Sequence, residues 1–233
     1  MENILLPSTI TFEPGATSSE ATLVIEPFFY GYGRTVGNAL RRVLLSSLTG
    51  AAVTAVKIKG AQHEFTAVSG VLEDALQIIL NVKGLRMKLH SEMPVKISLK
   101  KSGKGPVTAA DFDSNADVEI VNPDLHIATV TEDKGEFEME VTIGRGRGYS
   151  PTEEREPIGE IGVIAIDSLF SPVRNVGFKV EPTRVGEITD YDKLTMKIET
   201  DGTITPEEAV KQSVGILLDH YNLIAQKLSG SEA

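Results

Sequence analysis

The end of the chain constrains the fold more than any other stretch. Thr205 is followed by Pro206 and, three residues after the threonine, by Glu208, which reads as a capping box with proline at the first helical position. Val210, Val214, Leu217, Tyr221, Ile224 and Leu228 then recur at alternating steps of four and three, the seam spacing of helices that pack lengthwise. A second row, Ser213, Ile216, His220 and Leu223, lies beside the first. A helix with two such rows is either sunk in a core or shared with a second copy of the chain.

An earlier helix bears on that choice. The stretch Gly37-Asn-Ala-Leu-Arg-Arg-Val-Leu-Leu-Ser-Ser47, expected to begin winding near Thr35, puts Val36, Ala39, Leu40, Val43, Leu44 and Ser47 on one side at about 100° per residue. Asn38, Arg41, Arg42 and Leu45 fall on the other, at the spacing where side chains of successive turns touch. One reading is a surface helix with a stray leucine, since scattered exposed leucines are common. The other is an interface, which often takes arginine and an apolar anchor together. Two helices with more faces than a small domain can cover favour a homodimer. Its expected contacts are Val36, Leu40, Val43 and Leu44 from the first helix and Val214, Leu217, Tyr221, Ile224 and Leu228 from the last.

Between the helices the chain reads as α+β. Residues 8–13 and 21–25 alternate around a Pro14-Gly15 turn and predict a hairpin. Residues 52–59, 136–143, 161–166, 175–181 and 193–200 predict further strands, and 85–90 with 95–100 predict a strand pair. A short helix is expected over 72–82, burying Leu72, Ala75, Leu76, Ile79 and Leu80 with Gln77 and Lys83 on its polar side. Glu153-Glu-Arg-Glu-Pro157 reads as a polar loop and Asp201-Gly202 as a hairpin turn.

No stretch carries the pattern of an active site. The 233 residues hold 23 basic and 33 acidic side chains, a net charge of −10, so bulk attraction to a phosphate backbone is excluded and any DNA contact would need a local patch. There is no cysteine, and His63, His90, His126 and His220 lack ligand spacing, so no metal is expected. The aspartates at 111, 113, 190, 192 and 201 read as turn residues. Neither Gly31 to Gly33 nor Ser102 to Pro106 has the order of a phosphate loop, and no cofactor is expected. Arg145-Gly-Arg-Gly-Tyr149 could stack on bases, but a glycine-containing strand exit accounts for it with less. With no long apolar run and no signal peptide, the expected compartment is the cytoplasm and no membrane is implied. The residues thus describe an assembly module. A stand-alone nucleotide-binding enzyme would reveal itself by nucleotide titration.

At Gly37 to Ser47 the sequence resembles the alpha subunit of bacterial DNA-directed RNA polymerase. The likeness continues through His63-Glu-Phe, Leu80-Asn-Val-Lys-Gly84, Gly105-Pro-Val-Thr-Ala-Ala-Asp111, Arg145 to Tyr149, Ser171-Pro-Val173 and Asp201 to Ala209. It covers the family's amino-terminal domain only; the carboxy-terminal DNA- and activator-binding domain has no counterpart here. The resemblance implies a dimerisation domain made of residues 1–49 and 173–233, with an inserted domain over 50–172. It implies a homodimer that nucleates polymerase assembly, one copy receiving the beta subunit and the other beta-prime, without catalytic residues and without direct DNA contact by this region. By position, Arg41, Arg42, Leu45, His63 and Glu64 fall where the family meets beta, and Gln77, Lys83, Ile166, Ser171 and Val173 where it meets beta-prime. A dimeric scaffold unrelated to transcription would share these physics and differ only in partner.

Overall fold

The computed structural model describes residues 4–155, 159–186 and 188–230; Glu156 and Pro157 of the predicted polar loop lie outside them. In chain order the elements begin with β1 (Thr9–Pro14), β2 (Glu20–Phe28), α1 (Tyr32–Ser46), β3 (Thr49–Ile58) and α2 (Ala75–Val82). Then come β4 (Met87–Leu89), β5 (Val95–Ser102), β6 (Gly105–Thr108), β7 (Val118–Ile120), β8 (His126–Val130) and β9 (Glu136–Arg147). The chain continues through β10 (Tyr149–Ser150), β11 (Val163–Ala165), β12 (Ser168–Leu169), β13 (Val173–Val185), β14 (Ile188–Thr200) and α3 (Pro206–Leu228). This α+β chain forms two compact units, Met1–Leu48 with Pro172–Ala233, and Thr49–Ser171.

In the first unit an antiparallel sheet has the order β1-β2-β14-β13. Its strands alternate, and the inward set Leu23, Ile25, Val176, Leu194, Met196 and Ile198 meets Leu40, Leu44 and Leu48 from α1 and its exit, and Ala209 and Val210 from α3. Helix α1 starts at Tyr32 rather than near Thr35. Gly31 turns the chain at φ 81°, and the Gly33 amide donates to Asp192 Oδ2 at 3.1 Å. Asp192 is therefore not a turn residue: it stands in β14 and satisfies an amide that the first turn of a helix leaves without a partner.

The buried stripe of α1 is Gly33, Gly37, Leu40 and Leu44. A Cβ on Gly37 would lie 2.8 Å from Leu194 Cδ1 and 2.9 Å from the Phe178 ring, so the two glycines let the helix lie close on β13 and β14. That close seat rolls the helix away from the phase its apolar residues suggest. Leu45, expected on the far side, is half-buried and packs on the unit's core. Leu40 and Leu44, expected at a dimer contact, are enclosed by their own unit.

Helix α3 begins as its cap pattern predicts, with the Thr205 hydroxyl accepting from the Glu208 amide at 3.2 Å. The preceding Asp201-Gly202 does not close a hairpin. Asp201 Oδ1 accepts from the Thr203 amide at 2.9 Å and its hydroxyl at 2.6 Å, and the chain turns from β14 into the helix.

In the second unit the sheet order is β11-β3-β9-β5, all antiparallel. Val53, Val56 and Ile58 of β3, the β9 row Phe137, Met139, Val141 and Ile143, and Ile97 and Leu99 of β5 form one core with α2. The stretches 85–90 and 95–100 do not pair with each other: β4 pairs with β7, and β5 with β9. Helix α2 starts at Ala75, because Asp74 accepts from the Gln77 amide at 2.8 Å. It buries Ala75, Ile78, Ile79 and Val82 and turns Leu76 and Leu80 outward, the reverse of the predicted phase, and Leu72, expected in its first turn, lies before the helix and is exposed. Apolar residues occur on every side of this segment, so periodicity could not choose the face; the cap and the strands beneath it did.

Candidate functional site

The acidic side chains that could suggest chemistry are occupied in holding backbone. Asp111 accepts from the Thr108 amide at 2.9 Å and from Lys101 Nζ at 2.6 Å. Burial acts to raise its pKa, yet the Lys101 and Thr108 bonds outweigh it and hold the carboxyl below the usual aspartate range. Glu73 is held in the same way. Burial is again the largest influence, overcome by His126 Nε2 at 2.9 Å and by the Thr129 amide and hydroxyl at 2.7 and 3.0 Å, so its pKa is lowered.

What remains are surfaces. On α1, Arg41 and Arg42 are exposed. In the other unit, His63 and the half-buried Glu64 sit in a turn closed by the Thr66 amide on the His63 carbonyl, 3.1 Å, with His63 Nδ1 3.3 Å from Thr66 Oγ1. That turn holds out Phe65 at 75% exposure, an apolar ring that charge and spacing alone had not singled out.

A second surface forms around α2. Leu76, Leu80 and Lys83 follow one another at helical spacing along its outer side, and Gln77 is exposed beside them. Lys83 Nζ reaches Asp167 Oδ2 at 3.4 Å, while Asp167 Oδ1 accepts from the Thr152 amide at 3.0 Å and its hydroxyl at 3.2 Å. The Thr152 amide bond is the main cause of a lowered Asp167 pKa; burial opposes it and the Lys83 charge adds to it. Tyr149 shares the carboxylate, and its pKa is raised by partial dehydration and by that negative neighbour. Asp167, Tyr149 and the exposed Leu169 paired to Tyr149 are thus brought beside Lys83 by tertiary structure.

Other residues expected at this surface lie inside. Ile166 is 4% exposed and Ser171 9%, and Val173, in the other unit, is 4%. They are packed into cores and can act on a partner only through the backbone they position. Arg155, read as part of a solvated loop, is instead a tie. Its guanidinium donates to the carbonyls of Ser150 at 2.6 Å and Ile166 at 2.7 Å and to Ser168 Oγ at 3.1 Å.

The third surface is the outer half of α3. After the buried Val210 and Ser213 the seam emerges: Val214 is 38% exposed, Tyr221 61%, Ile224 54% and Leu228 83%, with Leu217 half-buried. Leu218 and Leu223 are exposed beside them. On α1, Val36 and Val43 are half-buried.

The family model of the RNA polymerase Rpb3/RpoA insert domain matches residues 56–171. DNA-directed RNA polymerase subunit alpha of Oceanobacillus iheyensis is 50% identical over 224 residues, covering 96% of this chain and 71% of that protein. The same subunit of Desulfovibrio desulfuricans is 50% identical over 212 residues, 91% of this chain and 61% of that protein. That of Alkaliphilus oremlandii is 47% identical over 218 residues, 93% of this chain and 68% of that protein. With about half of its residues shared along nearly all of its length, and a matching insert domain inside one of its two units, the chain belongs to the DNA-directed RNA polymerase alpha subunit family.

Proposed function

We propose that this chain is a non-catalytic assembly scaffold of DNA-directed RNA polymerase in the cytoplasm, which homodimerises and then receives the beta and beta-prime subunits. The observation that carries the reading is the outer half of α3, where Val214, Tyr221, Ile224 and Leu228 hold apolar surface in water. Fully burying such side chains contributes roughly 1.5 to 3 kcal/mol each, so a second copy laid along the seam would gain several times that. Val36 and Val43 are the parts of α1 open to the same contact; Leu40 and Leu44 support them from below.

Arg41 and Arg42, with His63, Glu64 and Phe65, are the proposed contacts for beta. Leu45 steadies the α1 arginines from the core side. The α2 surface of Leu76, Gln77, Leu80 and Lys83 is proposed for beta-prime, with the buried Ile166 and Ser171 positioning backbone in the same unit; Val173 lies in the core of the other. The chain's net charge of −10 disfavours direct DNA binding.

Stepwise reconstitution from purified subunits tests this reading. The wild-type chain is expected to sediment as a dimer at micromolar concentration and then to capture beta followed by beta-prime. Arg42→Ala should dimerise normally while losing at least about thirtyfold in beta affinity, the cost of truncating an interface anchor of ~2 kcal/mol. A stable wild-type monomer would remove the reading, and an Arg42→Ala dimer that binds beta normally would remove the α1 assignment.

A further inference from the structure

Arg145 and Arg147 have no task in the assembly described so far. The buried row of β9, Phe137, Met139, Val141 and Ile143, points to the covered face of its sheet. Strand alternation carries the same row on to Arg145 and Arg147. Both are exposed. Where the cover over this face ends, guanidinium groups take the positions of core side chains. With Thr49, Glu92 and Gly146 they line an open hollow of about 430 Å³.

The backbone under the pair is held by its neighbour strand. β3 matches it residue for residue, Ala51 opposite Arg145 and Thr49 opposite Arg147. Gly146 lies between them with the Phe170 ring so close to its other side that a Cβ would sit 2.7 Å from a ring carbon. Arg147 Nε donates to Thr49 Oγ1 at 3.2 Å, which fixes the guanidinium and leaves its terminal nitrogens uncommitted among the described residues.

The lysines of the same unit set the contrast. Six of them, Lys57, Lys59, Lys83, Lys88, Lys96 and Lys101, lie within ion-pair distance of a carboxylate, while among the described residues Lys100, Lys104 and Lys134 do not. Among the described residues Arg145 and Arg147 have no such partner, and Glu92 lines their hollow without pairing with either. In a chain of net charge −10, two guanidinium groups on a rigid strand pair, one of them tied to Thr49, lack an ion-pair acid among the described residues and are placed to meet an external one.

We propose that Arg145 and Arg147 form a receptor for a carboxylate-bearing segment of a partner polypeptide. The guanidinium fork matches a carboxylate with two parallel bonds, and its fixed geometry reduces the ordering cost of binding. The inference rests on the assembly reading: Tyr149 follows Arg147 by two residues and joins Asp167 and Lys83, so the partner is the large subunit seated on that surface, beta-prime. A nucleic acid fits less well. Its affinity grows with the number of phosphates neutralised, and only two arginines are offered.

The test is reconstitution of the full-length chain with purified beta and beta-prime, comparing wild type, Arg145→Ala/Arg147→Ala and Arg145→Lys/Arg147→Lys over a salt series. Both side chains are exposed, so the variants should melt with the wild type, and the lysine pair guards against a folding defect in the alanine pair. Expected is a loss of at least about tenfold in beta-prime capture for the alanine pair, equivalent to about 1.4 kcal/mol. Its salt dependence should be shallower, and the lysine pair should recover only part of the loss. Wild-type affinity and salt dependence in the alanine pair would overturn the proposal while leaving the assembly reading intact. A wild-type chain that captures neither large subunit would overturn both. Fluorescent single-stranded and duplex DNA, titrated at the same salt, form the third arm: binding by wild type that the alanine pair loses would assign the arginines to nucleic acid and overturn the proposal.

Discussion

The two units treat their apolar surface differently. In Thr49–Ser171 the β9 row from Phe137 to Ile143 is no more than 2% exposed, and one short helix with small flanking strands completes the cover. In the unit made of the two chain ends, Leu23, Leu44 and Leu194 are fully enclosed, yet the longest helix of the molecule leaves Tyr221, Ile224 and Leu228 more than half exposed. The β-rich unit closes its core by itself. The other builds a closed core and then extends an apolar helix beyond it, an arrangement that costs solubility unless something covers it. The incomplete helix is where self-association is expected, while the inserted unit, its core closed, still presents Phe65, Leu76 and Leu80 on its surface, where the large subunits are proposed to bind.

The largest expected effect tests that incompleteness directly. Tyr221→Glu/Ile224→Glu should weaken the dimer by more than about a hundredfold, since two buried large side chains contribute roughly 3 kcal/mol or more together. Sedimentation velocity at micromolar concentration reads it, and a variant that still sediments as a dimer would abolish the distinction between the units. In that monomeric background the contrast can be sharpened within one unit. Leu44→Ala, at a site with 0% exposure, should lose about 2 to 5 kcal/mol in denaturant unfolding. Leu228→Ala, at 83%, should stay within about 0.5 kcal/mol.

A smaller effect is expected at the seat of α1. Gly37→Ala gains up to about 1 kcal/mol of helix propensity but drives a methyl group into Leu194 and Phe178, and overpacking of this kind costs about 1 to 3 kcal/mol. The net loss should be on the order of 1 kcal/mol; a more stable variant would mean that α1 is free to lift from the sheet.

The smallest effect concerns a polar tie in the self-contained unit. The folded-state pKa of Glu73 lies below its unfolded value, so its contribution is present above the ordinary glutamate range and is lost as pH falls through the folded value. Glu73→Gln should cost about 1 kcal/mol near pH 7 and flatten the acid limb of the stability curve. An acid limb identical to the wild type's would show that the Glu73 bonds to His126 and Thr129 add nothing to stability.

Much of the chain was legible before any coordinates. Strict alternation predicts the first hairpin and strands β3, β9, β13 and β14, because a period of two has only one face to bury. Thr205 and Pro206 announce α3, because a cap is a local bond between residues three apart. The proposed docking residues were legible only in part. Exposed arginines on α1 follow from helical spacing, but the outward leucines of α2 do not: a segment apolar on all sides carries no phase until a sheet claims one side of it.

Other features depend on partners far away in sequence. Gly37 joins the core of α1 only because Leu194 and Phe178 lie under it. Arg155 ties Ser150, Ile166 and Ser168 together although its neighbours read as a polar loop. Asp167 meets Lys83 across a separation of 84 residues. The sequence by itself determined the longer strands, the three helices and the start of α3, because period and cap act over a few residues. Tertiary structure alone decided which side of α1 and α2 faces inward and which charges are ties rather than docking groups, because those outcomes depend on a neighbour that local spacing cannot specify.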